Sequence, residues 1–171
     1  MKIMAASDLH GSSGWTSRVI DKFREEGADK LLLLGDLLYH GPRNDLPGDY
    51  RPKEVIQMLN GIRESIIAVR GNCDTEVDQM VLEFPIMADY AYIVSGDLVI
   101  FATHGHIYNP VTPPAALPAG GILLCGHTHI AEDRMMDGYR YMNPGSPSIP
   151  KKDSVPSYII IEDGTAELKT F

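Results

Sequence analysis

A chain of 171 residues, 44% hydrophobic and 22% charged, is long enough to bury one sizeable core and is composed like an ordinary globular domain. Its formal net charge of -8 removes the basic field that nonspecific nucleic-acid or acidic-membrane binding needs, so long nucleic acids are not expected as partners. No run approaches the roughly 20 apolar residues that a bilayer-spanning helix needs.

Residues 2–7 (KIMAAS) read as a short buried strand followed by Asp8-Leu9-His10-Gly11. This apolar stretch is too short for a signal peptide, and Cys73 and Cys125 form neither a zinc spacing nor a disulfide framework, so a cytoplasmic location is expected. Trp15, Val19, Ile20 and Phe23 fall on one face of a helix that Gly27 stops. Residues 31–36 (LLLLGD) anchor the rest of the chain. Four leucines are too few for a buried helix and suit a parallel strand covered on both faces, with Asp36 where the strand ends. Open α/β sheets place their ligands at that end. A long loop then carries His40, Gly41, Pro42, Arg43 and Asn44. Pro52 opens a second helix with Val55, Ile56 and Leu59 on its apolar face. Residues 66–69 form a third strand ending in Arg70-Gly71-Asn72-Cys73-Asp74, and the alternation of strand and helix predicts parallel pairing through crossovers.

The second half reads as mostly strands. Residues 90–95 and 98–103 flank Gly96-Asp97 as a hairpin, and the second run ends in His104-Gly105-His106. A proline-rich loop leads to a strand at 121–125 that ends in Gly126-His127-Thr128-His129. Hairpin signals recur at Asp137-Gly138 and Asp163-Gly164, with Asn143-Pro144-Gly145-Ser146 as a turn-rich connection between them. Met135 and Met136 lie on a predicted strand and read as core, with a subunit contact as the alternative. Two sheets packed face to face, helices outside, in one domain over residues 1–171, are expected.

Five apolar runs thus end in loops with metal-capable groups: Asp8 with His10, then Asp36, Asn72, His104, and His127 with His129. All six histidines of the chain lie in or beside these loops. A lone histidine at a strand end is ordinarily a satisfied side chain, but five agreeing segments indicate a metal site. Pairs such as Asp8-x-His10 and His127-x-His129, on an extended chain, put both side chains on one side. Imidazoles, carboxylates and one amide oxygen, without thiolate, suit manganese, iron or zinc. Seven ligands are too many for one transition ion and suit two that share a carboxylate, with Asp36 as the bridge. Such a pair attracts a phosphate group, lowers the pKa of a bridging water and stabilises in-line displacement.

The ordered set Asp8-x-His10, Gly35-Asp36, Gly71-Asn72-x-Asp74, His104-Gly105-His106 and Gly126-His127-Thr128-His129 resembles the calcineurin-like metallophosphoesterases. Within them, SDLHGS, LGDLLYHGPRN, VRGNCDTEVDQM, THGH, CGHTH and NPGSPSIPK are similar to the bacterial YfcE-type phosphodiesterases, a likeness running from Met1 to about Lys152. The resemblance implies an α/β fold, a four-layer αββα sandwich of two mixed β-sheets flanked by helices. It implies Asp8, His10, Asp36 and His129 around one divalent ion and Asp36, Asn72, His104 and His127 around the other. Manganese is the metal it favours, with zinc, iron or nickel as the others to weigh. It further implies a homo-oligomer, dimer or tetramer, hydrolysing small aryl or nucleotide-type phosphodiesters with a metal-activated bridging hydroxide. The alternatives are an interaction scaffold similar to VPS29 with a vestigial metal site, and a phosphomonoesterase.

Around the ligands, Cys73 stands where many superfamily members carry a histidine that acts as general acid. A thiol beside two cations should have a lowered pKa and be a poor proton donor, so Cys73 reads as a small packed side chain and good leaving groups are expected. Asp36, Asn72, Cys73 and Asp74 are the residues placed at the chemistry, with Asp74 orienting a histidine ligand or fixing a loop. His106, beyond a ligand, should point away from His104 and reach substrate or loop. His40 and Arg43 share the loop beside Asp36, where Arg43 can clamp a phosphate or sit in a surface ion pair. Arg70 and Lys151 stand behind them as further candidates.

Overall fold

The computed structural model describes residues 1–171, and alternating apolar side chains set its layers. In β1 (Ile3–Ala6) all four residues are buried, Ile3 and Ala5 toward one side and Met4 and Ala6 toward the other. β2 (Lys30–Leu33) repeats this, with Leu31 and Leu33 joining Met4, and Leu32 joining Ile3. β1, β2 and β3 (Ile66–Ala68) pair in parallel. The connecting helices are α1 (Ser13–Glu25) and α2 (Pro52–Asn60). α1 starts where the Ser12 hydroxyl accepts the Trp15 N–H at 3.2 Å, and it stops just before Gly27, whose φ is 62°. Val19, Ile20 and Phe23 are buried as expected, whereas Trp15 is half-buried and packs edge-on against Phe171.

Two short elements were not read from the sequence, a 3₁₀ turn at Arg63–Ser65 and one further helix. α3 (Glu76–Gln79) is a single turn whose signal is Thr75-x-x-Asp78, a reciprocal cap in which the Asp78 carboxylate accepts the Thr75 N–H at 2.8 Å.

The second half supplies β4 (Tyr90–Ser95), β5 (Leu98–Thr103), β6 (Ile122–Leu124), β7 (Ala131–Met135), β8 (Arg140–Pro144), β9 (Ser157–Glu162) and β10 (Thr165–Thr170). The first sheet runs β10-β9-β1-β2-β3 and the second β4-β5-β6-β8-β7, both mixed, with β5, β6 and β8 parallel. The three hairpins form where glycine-containing turns were expected. The turn expected at Asn143-Pro144 does not begin there. Both residues end β8, and the chain turns at Gly145 with φ 70°. Pairing of β8 with β6 has already stopped at Met142, so the missing N–H of Pro144 removes no bond on that side. Met135 is likewise no core residue: it ends the edge strand β7 and is 72% exposed, while its neighbour Met136 packs inward.

Between the sheets lie Ile3, Leu32, Ile100, Ile122, Leu124 and Ile159, and α1 and α2 cover the other face of the first sheet. The outer face of the second sheet is closed differently. Phe101, Leu123, Cys125 and Tyr141 pack there against Tyr108 and Leu117 of the proline-rich loop, so loop replaces helix as the outermost layer. No helix is long and apolar enough to cross a membrane.

Glu26, just past α1, ties the layers together. It accepts hydrogen bonds from Lys169 Nζ and Tyr158 Oη, each at 2.7 Å, and pairs with Lys2 at 3.1 Å. Lys169 and then Tyr158 hold its carboxyl down at about 2, against an ordinary 4.5. A lowered folded-state pKa stabilises above the unfolded value and is lost as pH falls through the folded one. Glu26→Gln should therefore cost about 1–2 kcal/mol at pH 7. Urea melts should show that difference shrinking between pH 4.5 and about 2.

Candidate metal centre

The loops after β1, β2 and β6 bring their polar residues together by a route other than the expected one. Asp8, His10, Asp36, His127 and His129 are all left-handed, with φ of 56, 47, 55, 68 and 61°. The two x-spaced pairs are therefore not extended, and their side chains meet because the backbone reverses at each member. Such conformations cost non-glycine residues roughly 1–3 kcal/mol each and gather at functional sites.

Backbone bonds carry this strain. The N–H of Asp8 donates to Gly35 O at 3.1 Å, and that of His10 to Asp36 O at 2.9 Å, extending the β1–β2 pairing into the loops. Ser146 and Ser148 both donate to the Asp8 carbonyl, at 2.7 and 2.9 Å. Asp74 is buried and accepts the N–H groups of Asp36, Leu37 and Gly71 at 2.8, 2.9 and 2.8 Å. Of the two roles expected for it, it fixes the loops and touches no histidine. Burial pushes its carboxyl up, and neighbouring Asp36 adds to that. A side chain on Gly71 would collide with the Asp36 carboxylate and backbone, so only glycine lets the β2 and β3 loops approach so closely.

The imidazoles are oriented from behind. His10, His104 and His129 place Nδ1 2.7, 2.7 and 2.8 Å from the carbonyls of Tyr39, Leu34 and Ile149. A carbonyl can only accept, so each Nδ1 carries a proton, and a ring protonated there alone turns its Nε2 lone pair inward. The Nε2 atoms of His10 and His129 lie 3.1 Å apart. Two lone pairs facing at that distance repel unless a positive charge lies between them.

Asp8 supplies the matching anion. Its Oδ2 accepts the His127 N–H at 2.9 Å, while Oδ1 is buried without a hydrogen-bond partner, 3.3 Å from His129 Nε2 and 3.6 Å from His10 Nε2. Burial pushes the Asp8 carboxyl up, but in the metal-free protein a proton shared with His10 or His129 outweighs it and holds the group well below the usual carboxylate range. Asp36 Oδ2 stands between the two halves, 3.7 Å from His10 Nε2 and 3.5 Å from His104 Nε2. On the far side His104 Nε2 is 3.1 Å from Asn72 Oδ1 and 3.2 Å from His127 Nδ1. All seven residues named as ligands from the sequence converge, with Asp36 central. An orphaned carboxylate oxygen amid inward imidazole lone pairs fits a divalent transition metal.

The opening above these groups is lined by Gly41, Pro42, Arg43, Asn44, Cys73 and Lys151. Arg43 is exposed and makes no ion pair, so the surface salt bridge weighed for it is absent. Sequence reading gave Lys151 little weight and Asn44 none; Lys151 is held there by its N–H to His129 O at 3.1 Å. Its signal was the NPGSPSIPK segment. His40 does not line this opening. Its ring is wedged edge-on between Tyr39 and Tyr50, at 4.7 and 5.4 Å. His106 does not point away from His104 either: the rings are 5.4 Å apart, and residues two apart on an extended chain share a side. Arg70 is engaged with Asp89 at 2.7 Å. Cys73 is buried with its sulfur near the inward atoms of His10 and Asp36, and Asn72 Nδ2 donates to it at 3.2 Å. In the metal-free protein, burial, then the Asp36 charge, push its thiol up to about 12; the fall expected for it belongs to the metal-loaded centre.

Residues 1–165 match the family model of the calcineurin-like phosphoesterase superfamily domain. The chain is 45% identical to phosphodiesterase YfcE of Escherichia coli (strain K12) over 163 residues, covering 95% of this chain and 88% of that protein. The solved structure of the E. coli phosphoesterase superposes with a TM-score of 0.92 over 99% of this chain and 93% of that one. A phosphodiesterase of Methanocaldococcus jannaschii is 25% identical over 151 residues, 85% of this chain and 83% of the relative. Vacuolar protein sorting 29 from Cryptosporidium parvum, 19% identical, shares the fold, with a TM-score of 0.60 over 98% of this chain and 95% of that one.

Proposed function

The chain belongs to the calcineurin-like phosphoesterase superfamily, and from that membership we propose a metal-dependent phosphodiesterase of the two-ion type acting on small diesters. The observation that carries it is the meeting of inward Nε2 lone pairs with the unpartnered Asp8 Oδ1 around Asp36. Asp8, His10, Asp36 and His129 would hold one ion, and Asp36, Asn72, His104 and His127 the other. Divalent ions in such a pair lower the pKa of bound water and neutralise charge on phosphoryl oxygens. Manganese is the proposed metal, supported by a donor set that mixes imidazole nitrogen with carboxylate and amide oxygen.

The protein's own groups do the rest. The carbonyls behind His10, His104 and His129 fix the rings in advance, so no reorientation is needed when charge develops. Arg43 and Lys151 at the opening attract a singly charged diester, and Arg43 can grip it through two N–H groups. The residue after Asn72 is Cys73, and a thiol beside cations is a poor proton donor to the departing oxygen. Hydrolysis should therefore favour good leaving groups. For a series of aryl methyl phosphates, log rate should fall steeply with leaving-group pKa, and a nearly flat line would overturn the point. Cys73→His should flatten that dependence.

The direct test is bis(p-nitrophenyl) phosphate with chelated protein, then with manganese, zinc, iron or nickel restored. Turnover that vanishes on chelation and returns best with manganese is expected. A scaffold would show none, and a phosphomonoesterase would prefer p-nitrophenyl phosphate in the same assay. A homo-oligomer is part of the proposal, supported by the exposed Tyr90, Tyr92 and Val94 on edge strand β4, and sedimentation checks it.

A further inference from the structure

Beside the opening, a groove of about 380 Å³ is lined by Tyr39, Tyr50, Ile56, Val77 and Val81, with Cys73 in its wall. Cys73 also lines the opening over the metal centre, so the two spaces adjoin at this residue. The walls are built from the same loops that build the centre. Tyr39 gives its carbonyl to His10 Nδ1 at 2.7 Å and leaves its ring 42% exposed on the groove. The His40 ring, wedged between Tyr39 and Tyr50, holds both aromatic rings in place. Opposite them α3 and the residues after it expose Val77 by 68% and Val81 by 42%. The opening itself is polar, with Arg43, Asn44, Asn72 and Lys151, and suits a phosphate. The groove suits a ring: its volume is at the lower end of small-molecule sites, roughly 300–1,000 Å³, and its walls are mainly aromatic and aliphatic, with Lys53, Thr75 and Asp78 as polar members.

We propose that this groove seats one aromatic arm of the diester, an aryl or nucleobase-bearing group, while the phosphate lies at the metal centre. The proposal rests on the phosphodiesterase reading and narrows its substrate class to diesters with at least one aromatic arm. It also gives His40 a function that fits its position: a prop behind the two tyrosines.

The test compares phenylphosphonate with methylphosphonate as inhibitors of the manganese-loaded enzyme. Phenylphosphonate should bind at least about tenfold more tightly, and Val77→Ser/Val81→Ser should reduce that preference about tenfold. Both valines are exposed, so the variant is expected to fold, and Val77→Leu should keep the preference. In the zinc-loaded protein, phenylphosphonate but not methylphosphonate should shift the methyl NMR signals of Ile56, Val77 and Val81. Those shifts require no turnover, so they stand even if diester hydrolysis proves absent. An unchanged inhibitor preference in the double variant, or methyl signals indifferent to the phenyl ring, would overturn the groove alone. A double variant that alters the sedimentation coefficient and leaves inhibition untouched would also overturn it, assigning the surface to a protein contact.

Discussion

Asp36→Asn is expected to lower metal-dependent diester hydrolysis by about a thousandfold or more while leaving the protein folded. The change keeps size and shape, and the amide oxygen can still accept the Cys73 N–H that Asp36 Oδ1 accepts at 2.8 Å. What it removes is the negative charge on Oδ2, which stands 3.7 Å from His10 Nε2 and 3.5 Å from His104 Nε2. Without it, two cations would have to sit close together with no anion between them. Metal stoichiometry, read by atomic emission, should fall below two per chain together with turnover. A variant that hydrolyses bis(p-nitrophenyl) phosphate as well as the parent would remove the metal centre from the chemistry.

Asp74→Ala should destabilise the metal-free protein by about 3–5 kcal/mol. Asp74 is 6% exposed and serves three backbone donors, those of Asp36, Leu37 and Gly71, at a point where two loops touch. Each buried N–H left without a partner costs about 1–3 kcal/mol, and water entering the gap recovers part of the sum. Asp74→Asn should lose less, because one oxygen still accepts while the NH₂ group faces a donor. Urea denaturation of the chelated proteins measures both. A loss below about 1 kcal/mol in Asp74→Ala would mean that the loops hold their path without it.

Much of this molecule was legible because its strands are short, apolar and ended by glycine or acid. KIMAAS and LLLLGD show both-face burial in their composition, and the histidines after residues 98–103 and 121–125 are conspicuous against apolar runs. The left-handed backbone at Asp8, His10, Asp36, His127 and His129 was not legible, since a side chain advertises that conformation far less than glycine does. Hence the ligand set emerged from spacing that the structure explains differently. Asp74 stood open between orienting a histidine and fixing a loop, because sequence shows a carboxylate near ligands and hides which backbone groups surround it. His106 was misdirected because it stands two residues past His104, not one, and alternation returns to the same side at the second residue. Lys151 and Asn44 reach the opening only through folding of long loops, which no periodicity encodes.

The Tyr39 peptide carbonyl orients His10, and the Tyr39 ring is free to do something else. At Leu34 and Ile149 too, peptide oxygens align His104 and His129, although the Leu34 side chain is itself fully buried between the sheets. Mutation at position 39 can therefore redraw what the enzyme prefers without disturbing its ions. A lineage with this architecture can diversify its choice of molecule cheaply, one outward residue at a time, while its catalytic apparatus stays fixed.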